Sequence, residues 1–131
     1  MQKNAAFLIG ISNHPDHPLA GVPNDLTLLT QALQHRNYSN STIHCYGDTH
    51  TKLAELHALF VQIQNEYREV ETGSCYVHIG ASGALSLAPL AGGIVPSDGD
   101  DMDFRTVFPF AALNEYLPVR DNIRVIVTLD A

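Results

Sequence analysis

A run of seven apolar residues near the start of the chain, residues 5–11, most narrows the folds that this sequence can adopt. The run carries no charged side chain and ends at the polar Ser12. A short, uninterrupted apolar run indicates a strand that is buried on both faces, which is typical of a parallel sheet. Parallel strands need long crossover connections, most often helices, so the rest of the chain should supply them.

The remaining hydrophobic pattern does alternate between helix and strand. The chain is 131 residues long, which suits one domain, and we place that single domain at residues 1–131. Residues 84–98 are expected to form a hairpin. The alternation predicts a three-layer α/β/α fold with a mostly parallel sheet of four strands and right-handed crossovers. The predicted elements after the first strand are a helix at 24–33, a strand at 41–46, a long helix at 51–70, a strand at 75–79, a short helix at 108–116 and a strand at 122–130.

The charge balance limits the partners that we expect. Seven Lys and Arg residues oppose fourteen Asp and Glu residues, which gives a net charge of −7. Such a chain repels phosphate backbones and anionic lipids, so neither nucleic acid nor a membrane is an expected partner. No apolar run approaches the ~20 residues of a membrane span and no secretory signal begins the chain, so we expect a cytoplasmic protein. Cys45 and Cys75 match neither a disulfide framework nor a zinc site, and both are predicted to be reduced packing residues.

Ligands of open α/β sheets bind beyond the carboxyl ends of the strands. The loops at these ends are residues 12–14, 47–48, 80–83 and 130–131, and we expect all four to face one crevice. They contain no three-glycine dinucleotide fingerprint, no phosphate-binding loop and no complete Gly-x-Ser-x-Gly elbow. Dinucleotide, nucleoside triphosphate and serine hydrolase chemistry are therefore not favoured.

Four segments match the pattern of one known family. They are residues 6–12, residues 19–26 with Gly-Val-Pro-Asn-Asp, residues 93–98 with a Pro-x-Asp element, and residues 125–131 ending in Leu-Asp-Ala. With these segments in this order, the chain resembles the caspase-like cysteine peptidases, above all the metacaspase and orthocaspase branch. The resemblance covers essentially the whole chain. It implies a caspase-like fold of which residues 1–131 form the large-subunit portion, with the first four strands.

The catalytic dyad of that family has no counterpart at the matching positions. Ser82 stands where the family has a histidine after the third strand, and the nucleophilic cysteine is expected directly after Ala131. Without a base and a thiolate, a cysteine peptidase mechanism cannot operate. The resemblance therefore implies a pseudoenzyme that serves as a binding or regulatory module. The alternative is a genuine cysteine endopeptidase, seen as an inactivated or incomplete large-subunit chain whose nucleophile lies just beyond Ala131.

The specificity pocket of the family also looks altered. Members that cleave after Arg or Lys hold the basic side chain with acidic residues in the stretch before the Pro-x-Asp element. That stretch here includes Ala88, Ala91 and Gly92, so we expect the pocket to have lost its charge.

An acidic loop follows the Pro-x-Asp element. Some metacaspases bind calcium through aspartates in this region, which makes Asp98, Asp100 and Asp101 a candidate calcium site. A solvated acidic loop is the simpler interpretation. No other cofactor is expected.

The last predicted strand suggests what kind of partner the chain has. Residues 123–129 are apolar and β-branched, without a lysine or proline that would block the pairing of a further strand. We therefore expect a protein or peptide partner at this edge. It would be the missing C-terminal strands of the same protein, a small subunit or a second copy.

Overall fold

The computed structural model describes residues 1–87 and 90–131, without the side chains of His17 and Asn40, and shows an α/β fold. Short 3-10 turns lie at Asn40–Thr42, Asp48–His50 and Phe104–Thr106. The strands and helices, in chain order, are β1 (Gln2–Gly10), β2 (Asn13–His14), β3 (His17–Pro18), α1 (Val22–His35), β4 (Ile43–Tyr46), α2 (Leu53–Glu66), β5 (Thr72–Gly80), β6 (Gly83–Leu87), β7 (Leu90–Ile94), β8 (Phe108–Pro109), α3 (Ala111–Tyr116) and β9 (Ile123–Asp130).

The main sheet has four parallel strands in the order β4-β1-β5-β9. Strand β1 pairs with β4 on one side and with β5 on the other, and residues 5–11 are all buried. This confirms the prediction of a strand that is covered on both faces. A smaller antiparallel sheet contains β6, β7 and β8, and β2 pairs with β3 in a short ribbon.

The handedness of the crossovers explains where the helices lie. The connection through α1 moves from β1 to β4, and the connection through α2 moves back across β1 to β5. Because crossovers between parallel strands are right-handed, these opposite directions place α1 and α2 on opposite faces of the sheet. The connection through α3 runs from β5 to β9, in the same direction across the sheet as the connection through α2. Helix α3 therefore lies on the same face as α2 and contacts it. The predicted three-layer arrangement is confirmed.

Two hydrophobic cores fill the spaces between these layers. The larger core lies under α2 and α3, where the rings of Phe60 and Phe108 stack with centroids 5.1 Å apart. The smaller core lies under α1, where Leu26 and Leu33 pack against Ala6 and Leu8 of β1. Of the described helices, α1 is the one on this second face, and a groove beside it is lined by Tyr76 and His78 of β5 and by Thr128 of β9.

Tertiary contacts shift two predicted helix boundaries. The second helix ends at Glu66 rather than at residue 70, because the guanidinium of Arg120 donates to the carbonyl oxygens of Tyr67 and Val70 just beyond the helix. The third helix begins at Ala111 rather than at residue 108, because the segment before it pairs with β7 as strand β8. A hairpin forms within residues 84–98 as predicted, but its second arm is Leu90–Ile94 rather than the expected 93–95.

The two cysteines differ in their surroundings. Cys75 is fully buried in the larger core, as predicted. Cys45 is exposed, so the prediction that it packs in the interior is wrong. It lies on β4, which is an edge strand of the main sheet.

In the described ranges, no helix has both the length and the apolar content required to cross a membrane.

Candidate functional site

The strand order determines where a ligand site can form. The chain leaves β1 toward α1 on one face and leaves β5 toward α3 on the other, so a crevice opens between the carboxyl ends of these two strands. A cavity of about 600 Å3 lies beside this crevice, between the start of α1 and the ends of β5 and β9. It is lined by residues 18–22 and Asp25 at the start of α1, by residues 81–83 after β5, and by Asp130 and Ala131 at the end of β9.

Two carboxylates and one hydroxyl group give the cavity its polar character. Asp25 is in the first turn of α1, Asp130 ends β9, and Ser82 lies in the turn between β5 and β6. The amide of Ala81 donates to the carbonyl oxygen of Asp130 at 3.0 Å, and the amide of Val95 donates to that of Ser82 at 2.8 Å. These bonds fix the turn against the end of β9. Asp25 and Asp130 are both exposed, so the site can offer two carboxylates to a cationic group.

The same cavity lacks the parts of a thiol or serine mechanism. Among the described side chains that line it, none is a histidine or a cysteine, and no hydrogen bond joins the hydroxyl of Ser82 to Asp25 or Asp130. A serine hydroxyl without an adjacent base is a poor nucleophile.

His78 lies beside this cavity, in an adjoining groove of about 500 Å3 on the α1 face that shares Asp25 and Asp130 with it. Its Nδ1 is 2.7 Å from the Oγ1 of Thr128 on β9, and within the described residues it has no hydrogen bond to Ser82. Burial lowers the pKa of His78, although the nearby Asp130 and Asp25 oppose this effect. The imidazole is therefore neutral at pH 7 and is bonded within the sheet.

No family model matches this chain, and no curated protein matches it. The chemistry of the cavity is therefore inferred from its own residues and their contacts.

The prediction that four loops face one crevice is wrong for two of them. The loops after β1 and β4 are hydrogen-bonded to each other instead. The carboxylate of Asp48 accepts from the amide of Ser12 at 2.6 Å and from its hydroxyl at 2.5 Å. It also accepts from the amide of Asn13 at 3.2 Å. His14 is buried, and its Nε2 lies 2.6 Å from the carbonyl oxygen of Gly99. None of these residues lines the cavity.

The residues predicted to mark the specificity pocket lie elsewhere or outside the described residues. Ala91 and Gly92 belong to β7 and do not line the cavity, while Ala88 falls outside the described part of the chain. The charge of the cavity comes instead from Asp25 and Asp130. The sequence analysis places Asp130 in a candidate loop but does not predict Asp25. Its position in the first turn of the helix after the first strand, close to the carboxyl ends of the strands, could have indicated Asp25.

Two of the proposed calcium ligands accept hydrogen bonds from backbone amides. The carboxylate of Asp98 accepts from the amide of Leu53 at 2.8 Å, and so caps the start of α2, where the N-cap residue Lys52 has no side-chain acceptor. The carboxylate of Asp100 accepts from the amide of Met102 at 2.9 Å. Across residues 1–87 and 90–131, no group of three or more His, Cys, Asp or Glu side chains is placed to hold a metal ion. Calcium binding that involves Asp101 as well stays a prediction.

We predict that Asp48 stabilises the fold in a pH-dependent way. Burial opposes its ionisation, but the side-chain and backbone hydrogen bonds from Ser12 and Asn13 outweigh burial and lower the pKa of Asp48 below 3.8. A carboxyl group whose pKa is lower in the folded state than in the unfolded state stabilises the fold at pH values above its unfolded-state pKa. This stabilisation is lost as the pH falls through its folded-state pKa. Asp48→Ala should therefore reduce the free energy of unfolding by about 1–2 kcal/mol at pH 7.

The measurement is urea unfolding at pH 7 and pH 3, with the exposed Asp121→Ala as the matched control. The deficit of Asp48→Ala should narrow at pH 3, and Asp121→Ala should show no deficit. A deficit of the same size at both pH values would contradict the role given to the ionised carboxylate.

Proposed function

We propose that this chain is a catalytically degenerate homologue of the caspase-like cysteine peptidases, of the metacaspase and orthocaspase branch, and acts as a protein-binding or regulatory module. The observation that carries the proposal is the cavity at the ends of β5 and β9. It contains Ser82 and two carboxylates but, among its described side chains, no thiol and no imidazole. A four-stranded parallel sheet with helices on both faces is in keeping with the proposal.

The ligand that we propose is an extended peptide with an arginine or lysine side chain in the cavity. Asp25 and Asp130 provide the countercharge, and a guanidinium can form paired hydrogen bonds with a carboxylate. The net charge of −7 adds a long-range attraction for cationic segments. The acidic residues expected before Pro96 are thus not needed for a basic side chain to bind.

A genuine cysteine endopeptidase is the second candidate, and one observation favours it. Ser82 and Ala131 line the same cavity, and a β-carbon added at Gly83 would lie 3.4 Å from the side chain of Ala131. A histidine at position 82 and a cysteine after Ala131 would therefore meet at one cavity. Under this candidate, the cavity is the substrate site of an enzyme whose nucleophile follows Ala131.

The first prediction from the proposal is that the chain does not hydrolyse peptides. Fluorogenic peptides with Arg, Lys or Asp at the cleavage position should show no turnover above the blank, with or without calcium. Cys75 is no substitute nucleophile, because it is buried and burial raises the pKa of its thiol to about 12. Turnover that a thiol-directed inhibitor blocks would contradict the proposal. Recovery of turnover by Ser82→His, in a protein that continues past Ala131 into a cysteine, would support the second candidate.

The second prediction concerns binding of a basic side chain. A fluorescein-labelled Gly-Ser peptide with one central arginine should bind, and citrulline in its place should weaken binding because citrulline is uncharged. Asp25→Asn and Asp130→Asn should each raise the Kd about ten-fold, the size expected for one charge-assisted hydrogen bond. Fluorescence anisotropy measures these constants. Asp121→Asn removes the same charge from an exposed loop and is the control. Equal affinity of all three variants would contradict the assigned pocket.

A further part of the proposal is a partner strand at the outer edge of β9. In the described part of the chain, no strand pairs with this edge, and Val127 and Leu129 are 37% and 44% exposed. An unprotected β-branched edge favours pairing with another strand. We propose that the partner strand comes from further strands of the same protein, from a small subunit or from a second copy.

This edge gives the third prediction. In a parallel strand, alternate amides point to opposite neighbours, so half of the β9 amides should exchange quickly with solvent in the isolated chain. Hydrogen exchange at residues 123–129, with light scattering after size-exclusion chromatography, measures this. A monomer with strong protection of every amide in β9 would contradict the proposed open edge. Self-association with full protection would identify a second copy as the partner.

A further inference from the structure

One face of the β6–β7 hairpin carries three exposed leucines. Leu85, Leu87 and Leu90 are 64%, 78% and 76% exposed. Leu87 pairs directly with Leu90, and Leu85 pairs with Gly92. Since alternate residues of a strand share a face and paired residues face the same side, the three leucines form one apolar surface, here called the leucine ribbon.

The hairpin extends beyond the core on this face: Ile94 at its base is fully buried, whereas the three leucines farther along the strands are exposed. Among the described residues, the opposite face has the small residues Ala84, Ser86, Ala91 and Gly93, of which Gly93 is buried and the other three are half-buried. An antiparallel sheet with one solvated face normally directs its large apolar side chains inward. A contiguous group of exposed large apolar side chains indicates a binding surface.

The leucine ribbon begins at the acidic cavity. Gly83 lies on the same face as Leu85 and lines the cavity, next to Ala131. Its pairing with the buried Ile94 fixes the base of the hairpin to the core. At about 3.4 Å per residue, Leu85 and Leu87 lie about 7 and about 14 Å along the strand from Gly83. An extended peptide covers the same distance in two and four residues.

We propose that the leucine ribbon binds large apolar side chains of the same peptide segment whose basic side chain enters the cavity. This inference rests on the function proposed above and specifies its ligand as an extended segment with one Arg or Lys and apolar residues two and four positions away. Charge selects this occupant. A second copy of a chain with net charge −7 would bring like charge toward Asp25 and Asp130, and an anionic lipid surface would do the same.

The test compares peptides that differ only in these apolar positions. One peptide has an arginine and leucines two and four positions away from it, and a second peptide has serines at those two positions. Each peptide is made in two versions, with these positions either before or after the arginine in the sequence. In one of the two directions, the leucine peptide should bind about ten-fold more tightly than its serine counterpart, in line with partial burial of two leucine side chains on an open surface. Anisotropy or calorimetry gives the constants.

The variant Leu87→Ser/Leu90→Ser should remove this advantage and leave the affinity for the serine peptide unchanged. Val119→Ser is the matched control, because Val119 is 71% exposed and lies outside the hairpin, and it should change neither affinity. Circular dichroism and thermal unfolding check that the double variant is folded. If it is not, photo-leucine in the peptide should crosslink to residues 83–92 of the unaltered protein, and crosslinks elsewhere would overturn the proposal.

The outcomes separate the two proposals. Equal binding of leucine and serine peptides overturns the leucine ribbon but leaves the acidic cavity standing. Equal weakening of both peptides by the double variant also overturns it, because the hairpin would then only support the cavity. Binding of neither peptide overturns both proposals.

Discussion

Strand β1 is the element on which the rest of the structure depends. It is hydrogen-bonded to a parallel strand on each side and buried on both faces, so every layer of the fold packs against it. With β1 in the middle, right-handed connections must place α1 and α2 on opposite faces. The chain then leaves β1 and β5 in opposite directions. The crevice between their ends follows from this arrangement, and the cavity lies beside it, between the start of α1 and the ends of β5 and β9.

The chemistry of that cavity is electrostatic. Asp25 and Asp130 reach it from the start of a helix and the end of a strand, and hydrogen bonds between Ala81 and Asp130 and between Val95 and Ser82 hold the intervening turn in place. Both carboxylates are exposed and can therefore reach a cationic group that enters the cavity from solvent. The neighbouring imidazole of His78 is neutral and bonded to Thr128, so it adds polarity to the adjoining groove but no charge.

The sequence predicts the elements whose patterns are local and strong. The apolar run of β1, the helical spacing of Leu26 and Leu33 in α1, and the β-branched residues of β9 each lead to the correct element. Long-range contacts account for what could not be predicted. Hydrogen bonds from Arg120 to backbone carbonyls just beyond α2 end that helix before residue 70. Phe108 pairs with Ile94 in a strand where the sequence predicts helix. The hydrogen bond from Ser12 to Asp48 joins the ends of β1 and β4, so these two loops do not line the cavity. The place of Asp25 in the cavity was missed for the same reason, because it brings a residue near the start of the chain beside residues 81–83 and 130–131.

The central claim is that the cavity between α1 and the ends of β5 and β9 binds a basic peptide side chain. The most direct test is a nitrogen-15 correlation spectrum of the unaltered chain, titrated with the arginine peptide and with its citrulline counterpart. The account predicts saturable shifts at Asp25, residues 81–83 and residues 130–131 with arginine, and weaker ones with citrulline. Shifts confined to the face covered by α2 and α3, or equal shifts with both peptides, would contradict it.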